Sequence, residues 1–234
     1  MTAPGTLYGL GVGPGDPELI TVKALRILRA VPVVAYPVLG GLPGFARAIV
    51  SAHLCSGQRE IAMQIPLSGH AATSAAYDAG AQAVAGALDA GDDVAVLCEG
   101  DALFYGSFGY LLARLNDRYT CETIPGVSSL MAAPARLGRA MVSGNDTLTV
   151  LPGTLDDEVL KSRLIQEGPT VIIKVGRHLA RLKALLHGLG LTARAHYIER
   201  ATLENEIATP LAQATGEAPY FSMILIESAR RARR

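Results

Sequence analysis

The 234 residues carry 21 Lys+Arg against 21 Asp+Glu, and half of them are hydrophobic, enough for one large or two modest domains with cores of their own. No apolar run approaches the roughly 20 residues of a membrane span, and Met1-Thr2-Ala3-Pro4 lacks the basic and apolar stretches of a signal peptide, so the expected location is cytoplasmic, with no membrane partner. Arg230, Arg231, Arg233 and Arg234 crowd the last five residues as an expected frayed tail; without these four the body holds 17 basic against 21 acidic side chains, which argues against a nucleic-acid partner.

Leu7 to Val12 is expected as a first strand, followed by Gly11-Val12-Gly13-Pro14-Gly15-Asp16-Pro17. Asp16 as N-cap and Pro17 at the first helical position open an amphipathic run from Glu18 to Leu28. This loop is not a dinucleotide fingerprint: that pattern needs glycine where Asp16 stands, Pro14 removes an amide a phosphate could use, and no Walker lysine follows. Pro32 to Tyr36 reads as a second strand, Phe45 to Leu54 as a helix and Glu60 to Ile65 as a third apolar stretch. The alanine-rich Ala71 to Leu88 is a strong helix former, Val94 to Leu97 a buried strand, Phe108 to Leu115 a helix, and Thr120 to Ile124 the last strand of a parallel, doubly wound sheet.

Pro125-Gly126-Val127-Ser128-Ser129 opens a helix from Leu130 to Leu137, and Ser143-Gly144-Asn145-Asp146 is a polar loop. Composition then restarts: strand Leu148 to Leu151, helix Asp156 to Glu167, strand Thr170 to Val175, helix Leu179 to His187, strand Ala195 to Glu199 and strand Tyr220 to Ile226. The last two strands have no helix between them, so the expectation is an α/β protein of two α/β domains: 1–125 with a parallel sheet and 126–234 with a mixed sheet, with a connecting helix and loop near 126–145.

Cys55, Cys98 and Cys121 have no paired spacing, and His178 and His187 fall on different helix faces, so neither a disulfide framework nor a protein-bound metal is expected. The chemistry concentrates in loops that follow strands, where open α/β sheets hold ligands. Foremost is Cys98-Glu99-Gly100-Asp101-Ala102-Leu103-Phe104-Tyr105-Gly106-Ser107, which joins two carboxylates, a glycine on each side and an aromatic pair. Gly11 to Asp16, Pro125 to Ser129, Lys174-Val175-Gly176-Arg177 and Glu199-Arg200-Ala201-Thr202 share that placement, although any one of them alone reads more readily as a bare turn.

The order of these loops resembles the tetrapyrrole methyltransferases, the S-adenosylmethionine enzymes of cobalamin and sirohaem synthesis. The resemblance runs from Leu7-Tyr8-Gly9-Leu10-Gly11-Val12-Gly13-Pro14-Gly15-Asp16-Pro17 to Pro219-Tyr220-Phe221-Ser222-Met223-Ile224. Within the family, Glu99-Gly100-Asp101, Phe104-Tyr105-Gly106-Ser107-Phe108, Leu151-Pro152-Gly153-Thr154, Lys174-Val175-Gly176-Arg177-His178 and Glu199-Arg200-Ala201-Thr202 are most similar to the branch that methylates C-20 of precorrin-2. The resemblance implies a homodimer with S-adenosylmethionine in a cleft between two domains, lined by Pro14, Gly100, Asp101, Phe104, Ser128, Ser129, Val175 and Ala201. Two departures stand out: Ala102 replaces a proline common in relatives, and Pro37 replaces the aspartate proposed as base in the uroporphyrinogen branch.

Under that resemblance the acceptor is a tetrapyrrole with eight carboxylates, for which Arg47, Arg136, Arg139, Arg177 and Arg200 are the candidate partners. A proton must leave C-20 after the methyl arrives, and Glu99 and Tyr220 are the candidate catalytic groups. Helix capping by Ser128 and Ser129, an ion-paired Glu99, a core Tyr220 and solvated arginines are the structural alternatives. Different activities weighed beside this are methylation of cobalt-precorrin-2 or of another ring position, and non-catalytic tetrapyrrole carriage.

Overall fold

The computed structural model describes residues 3–39, 44–66, 70–166 and 168–228. The arginine tail and the expected helix end at Glu167 lie outside them. Two compact units, Met1–Ser129 and Leu130–Arg234, divide at the opening turn of the helix expected to connect the domains. Residues 126–129 fall with the first unit, where the Gly126 N–H donates to the Asp101 carboxylate (3.0 Å).

The first unit is a parallel five-stranded sheet of β1 (Leu7–Gly11), β2 (Val33–Leu39), β3 (Arg59–Ile65), β4 (Val94–Cys98) and β5 (Cys121–Ile124), in the order β3-β2-β4-β1-β5. Its helices are α1 (Val22–Ala30), α2 (Phe45–Ile49), α3 (His70–Asp89) and α4 (Phe108–Leu115). β4 shows why the sheet is covered on both faces. Val94, Val96 and Cys98 pack with Tyr77, Val84 and Leu88 of α3 and Phe108 and Leu111 of α4, while the alternate residues Ala95 and Leu97 join Ala24 and Leu28 of α1 and Ile49 of α2.

Two expected helices of the first unit prove shorter, as does the one expected from Asp156 to Glu167, which ends at Leu164. Asp16 does cap, accepting the Glu18 N–H at 2.8 Å, but it starts only the 3-10 turn Pro17–Leu19; Thr21, accepting the Ala24 N–H, caps α1 afresh. The run from Phe45 to Leu54 breaks at Val50 into α2 and the 3-10 turn Ser51–His53. β2, by contrast, continues through Pro37. Its pairing with β4 ends at Ala35, so beyond that point only the β3 side of the strand carries a ladder.

The second unit holds α5 (Ser129–Leu137) apart from its first residue, β6 (Thr149–Pro152), α6 (Asp157–Leu164), β7 (Thr170–Ile173), α7 (Leu179–Gly188), β8 (Ala195–Glu199), β9 (Ile207–Pro210) and β10 (Ser222–Ile226). The sheet order is β6-β7-β10-β8-β9, with β6 and β7 parallel and β10 antiparallel to both of its neighbours, a mixed sheet. One face packs on α6 and α7 through Leu160, Leu164, Leu182 and Leu186; the other packs on Leu130 and Ala133 of α5. β7 stops two residues before Val175, and β10 starts at Ser222 rather than Tyr220. β9 was not expected: it is a short edge strand with exposed residues that ends in proline, so it lacks an apolar signature.

Candidate functional site

The strand order of the first unit sets β1 between β4 and β5, so the loops leaving all three strands meet at their carboxyl ends. There the backbones touch. The Gly13 and Gly100 main chains exchange two hydrogen bonds (Gly13 N to Gly100 O 3.2 Å; Gly100 N to Gly13 O 2.7 Å). A Cβ on Gly126 would stand 2.1 Å from the Gly100 carbonyl oxygen, and one on Gly11 would stand 2.5 Å from the Gly126 nitrogen. Gly100 itself has φ +66, which glycine adopts without penalty. Only glycine lets three main chains lie this close, and the result is a dense array of amides and carbonyls.

Asp101 holds the array in shape. Its Oδ1 accepts the Leu103 and Phe104 N–H groups (both 2.9 Å) and its Oδ2 accepts the Gly126 N–H (3.0 Å). Burial alone would raise this carboxyl, but the amide bonds from Leu103, Gly126 and Phe104 outweigh it and hold the group below its ordinary range. Three of the roughly four acceptor positions of a carboxylate are thus filled, which leaves one for a ligand.

Around this junction the structure gathers several sequence-derived candidates. Pro14 follows Gly13 directly, and Ser128 Cα and Ser129 N lie 3.5 and 3.7 Å from where a Gly100 Cβ would be. Phe104 is 42% exposed and meets Tyr105, 53% exposed, edge to face at 5.1 Å. Two rings left in solvent on a loop beside a polar junction are poorly explained by folding alone. Ala102, in the proline position, is fully buried in the core of the first unit. Glu99 leaves β4 half-buried; desolvation pushes its carboxyl up, partly offset by its own amide and that of Ala46.

In the second unit Val175 and Ala201, both buried, end up near the start of β10. The Gly176 N–H donates to Ser222 Oγ (3.2 Å) and the Arg200 N–H to the Phe221 carbonyl (2.8 Å). Tyr220 is 63% exposed, so it is not a core residue, and it meets Phe221 edge to face. Torsional strain marks the same loops. Among the described residues the four non-glycine residues with left-handed backbone are Tyr105 (φ 56), Lys174 (φ 56), Arg200 (φ 50) and Thr202 (φ 75). Each costs on the order of 1 kcal/mol, and such conformations cluster where a ligand is gripped.

The candidate arginines divide by partner. Arg47 forks onto Glu60 (3.0 and 2.9 Å), which also accepts the Tyr36 hydroxyl (2.7 Å); Arg47 first and Tyr36 second hold the Glu60 carboxyl below its usual range. Arg136 donates through Nε alone to both oxygens of Glu206, Arg139 pairs with Glu227, and Arg200 with Glu199. Arg177 is exposed and makes no ion pair among the described residues. Glu60, Glu206 and Tyr197, whose hydroxyl donates to Glu199, were not anticipated. Glu206 looks no different in sequence from its neighbour Glu204, and only the fold distinguishes them. Among the described residues no three His, Cys, Asp or Glu gather as metal ligands, and no helix is long and apolar enough to cross a membrane.

Two α/β units, the first with a backbone cradle where three strand-end loops meet, define a scaffold of the kind that holds ligands at the carboxyl ends of its strands. Comparison with known proteins narrows the class. Residues 6–215 match the family of Tetrapyrrole (Corrin/Porphyrin) Methylases, and the chain belongs to that family. It is 42% identical over 95% of both chains to a precorrin-2 C(20)-methyltransferase of Sinorhizobium. A cobalt-precorrin-2 C(20)-methyltransferase of Salmonella typhimurium is 32% identical over 95% of this chain and 96% of its own. A cobalamin biosynthesis protein of Mycobacterium tuberculosis is 39% identical, and the chain spans about half of it (47%). The fold matches a uroporphyrin-III C-methyltransferase of Thermus thermophilus complexed with S-adenosylhomocysteine (TM-score 0.70, 24% identity, 97% of this chain and 100% of the other).

Proposed function

We propose that the protein transfers a methyl group from S-adenosylmethionine to C-20 of precorrin-2, yielding precorrin-3A and S-adenosylhomocysteine in cobalamin biosynthesis. The observation that carries this reading is the 42% identity to an enzyme of that name over 95% of each chain. The donor fits the residues of the first unit: the second lone pairs of the Gly13 and Gly100 carbonyls for its N–H and O–H groups, the hydroxyls of Ser128 and Ser129, the remaining acceptor position of Asp101 for its ammonium or ribose, and the face of Phe104. In the second unit the resemblance assigns Val175 and Ala201 to the donor.

S-adenosylmethionine supplies an electrophilic methyl on a sulfonium that departs as a neutral thioether. The chain's own residues therefore chiefly align and exclude water. Glu99, whose proton affinity is raised by burial, is the candidate to take the C-20 proton, with Tyr220 orienting the ring. Arg177 is the best placed of the arginines to meet an acceptor carboxylate; Arg47, Arg136, Arg139 and Arg200 would first have to exchange an internal partner.

The 32% identity to the Salmonella enzyme favours cobalt-precorrin-2 as the second acceptor to test. Incubation with labelled donor and each acceptor in turn decides between them: label at C-20 of precorrin-2 supports the proposal, and label elsewhere, or only with the cobalt form, overturns it. A tetrapyrrole carrier would bind the acceptor without turnover and ignore S-adenosylhomocysteine in a calorimetric titration. We further propose a homodimer in the cytoplasm; the exposed free thiol of Cys55 suits a reducing compartment, and light scattering tests the assembly.

A further inference from the structure

In the second unit, residues 200–206 leave β8 and return as β9 through a turn held by charge at both ends. Arg200 and Thr202, with left-handed backbones, flank the buried Ala201, and neither is a glycine that would adopt that conformation freely. The turn closes on itself through Leu203 N–H to Arg200 O (2.9 Å) and Glu206 N–H to Leu203 O (3.0 Å). At its start Glu199, 7% exposed, accepts both the Tyr197 hydroxyl and the Arg200 guanidinium. At its end the Glu206 carboxylate accepts the Thr202 N–H at 2.6 Å and both oxygens accept Arg136 Nε (3.0 and 2.9 Å).

An ion pair as open as Arg136 usually contributes little. Here, however, the acid is largely covered, and the same carboxylate carries a short charge-assisted bond to the backbone of a strained residue. We propose that Glu206, steadied by Arg136, is a positioning residue for methyl transfer: it holds the Thr202 amide so that the Ala201 main chain is preset for the sulfonium donor. The proposal rests on Ala201 belonging to the donor site. Arg136 then acts through Glu206 and not on the acceptor.

The test is calorimetric titration of the full chain with S-adenosylhomocysteine, and initial rates with S-adenosylmethionine and precorrin-2, for wild type, E206A, E206Q, R136A and R136K. E206A weakens product affinity and raises the donor KM by about tenfold or more, the loss of a hydrogen bond to a charged group, while kcat stays within about threefold. E206Q keeps an oxygen for the Thr202 amide, R136K keeps a cation for Glu206, and each recovers part of the affinity. Wild-type donor KM in E206A, or a fall in kcat or melting temperature alone, overturns the proposal. If E206A does not fold, R136A decides by the same criteria, since its side chain is more than half exposed. A wild-type protein that ignores S-adenosylhomocysteine sinks the donor reading itself, and the clasp with it, which no variant result can mimic.

Discussion

Asp101 shows how one side chain can shape a loop and still keep capacity for a ligand. Its carboxyl lies below the ordinary 3.8 in the folded chain. A depressed folded value contributes stability that is present above about 3.8 and lost as pH falls through the lower folded value. D101N accepts through one oxygen only and does not titrate. Thermal melts across pH therefore show a wild-type advantage over D101N that is flat at neutral pH and narrows below about 4. Glu99 has the opposite sign. Its folded value lies above the ordinary 4.5, so its contribution is complete below 4.5 and is lost as pH rises through the raised value. E99Q, which never ionises, gains in melting temperature on wild type as pH rises. If Glu99 takes the C-20 proton, E99Q also lowers kcat by about 10²-fold or more, and a stable E99Q with unchanged kcat removes it from the chemistry.

At the level of elements, α4 is seated by one ring. Phe108 is fully buried, and a Cβ on Gly9 of β1 would lie 2.3 Å from it, so strand and helix meet through the missing side chain of Gly9. F108A opens a cavity at this contact and costs about 3–5 kcal/mol in denaturant unfolding. A smaller loss would mean that the helix collapses onto the sheet. The elements that carry dense apolar runs were legible from sequence alone: α4 and β8 match their expected limits, and β4 differs by one residue. Where the reading failed, local capping prevailed, as when Thr21 restarts α1, or the strand had nothing apolar to show, as in β9. The candidate loops were legible because their glycines, carboxylates and aromatics have no reason to follow a buried strand. The braces Glu60 and Glu206 were not, because an acidic residue that clasps a distant arginine looks in sequence like one that faces water.

For the whole molecule, the two sheets differ in kind for a reason visible in connectivity. Helical crossovers keep the first parallel, whereas β10 enters the second antiparallel to both of its neighbours. If the family's donor binds the folded chain, S-adenosylhomocysteine at about a hundred times its Kd adds about 2.7 kcal/mol to unfolding, read as a concentration-dependent rise in melting temperature, and a flat response argues against donor binding. The meeting of Gly11, Gly100 and Gly126 also bears on how this protein can drift. Alanine at position 11 or 126 drives carbon into main-chain atoms contributed by distant stretches of the polypeptide. Trimming a neighbour elsewhere makes no room there, so a genetic screen for suppressors of G11A or G126A returns true revertants and no second-site rescuers.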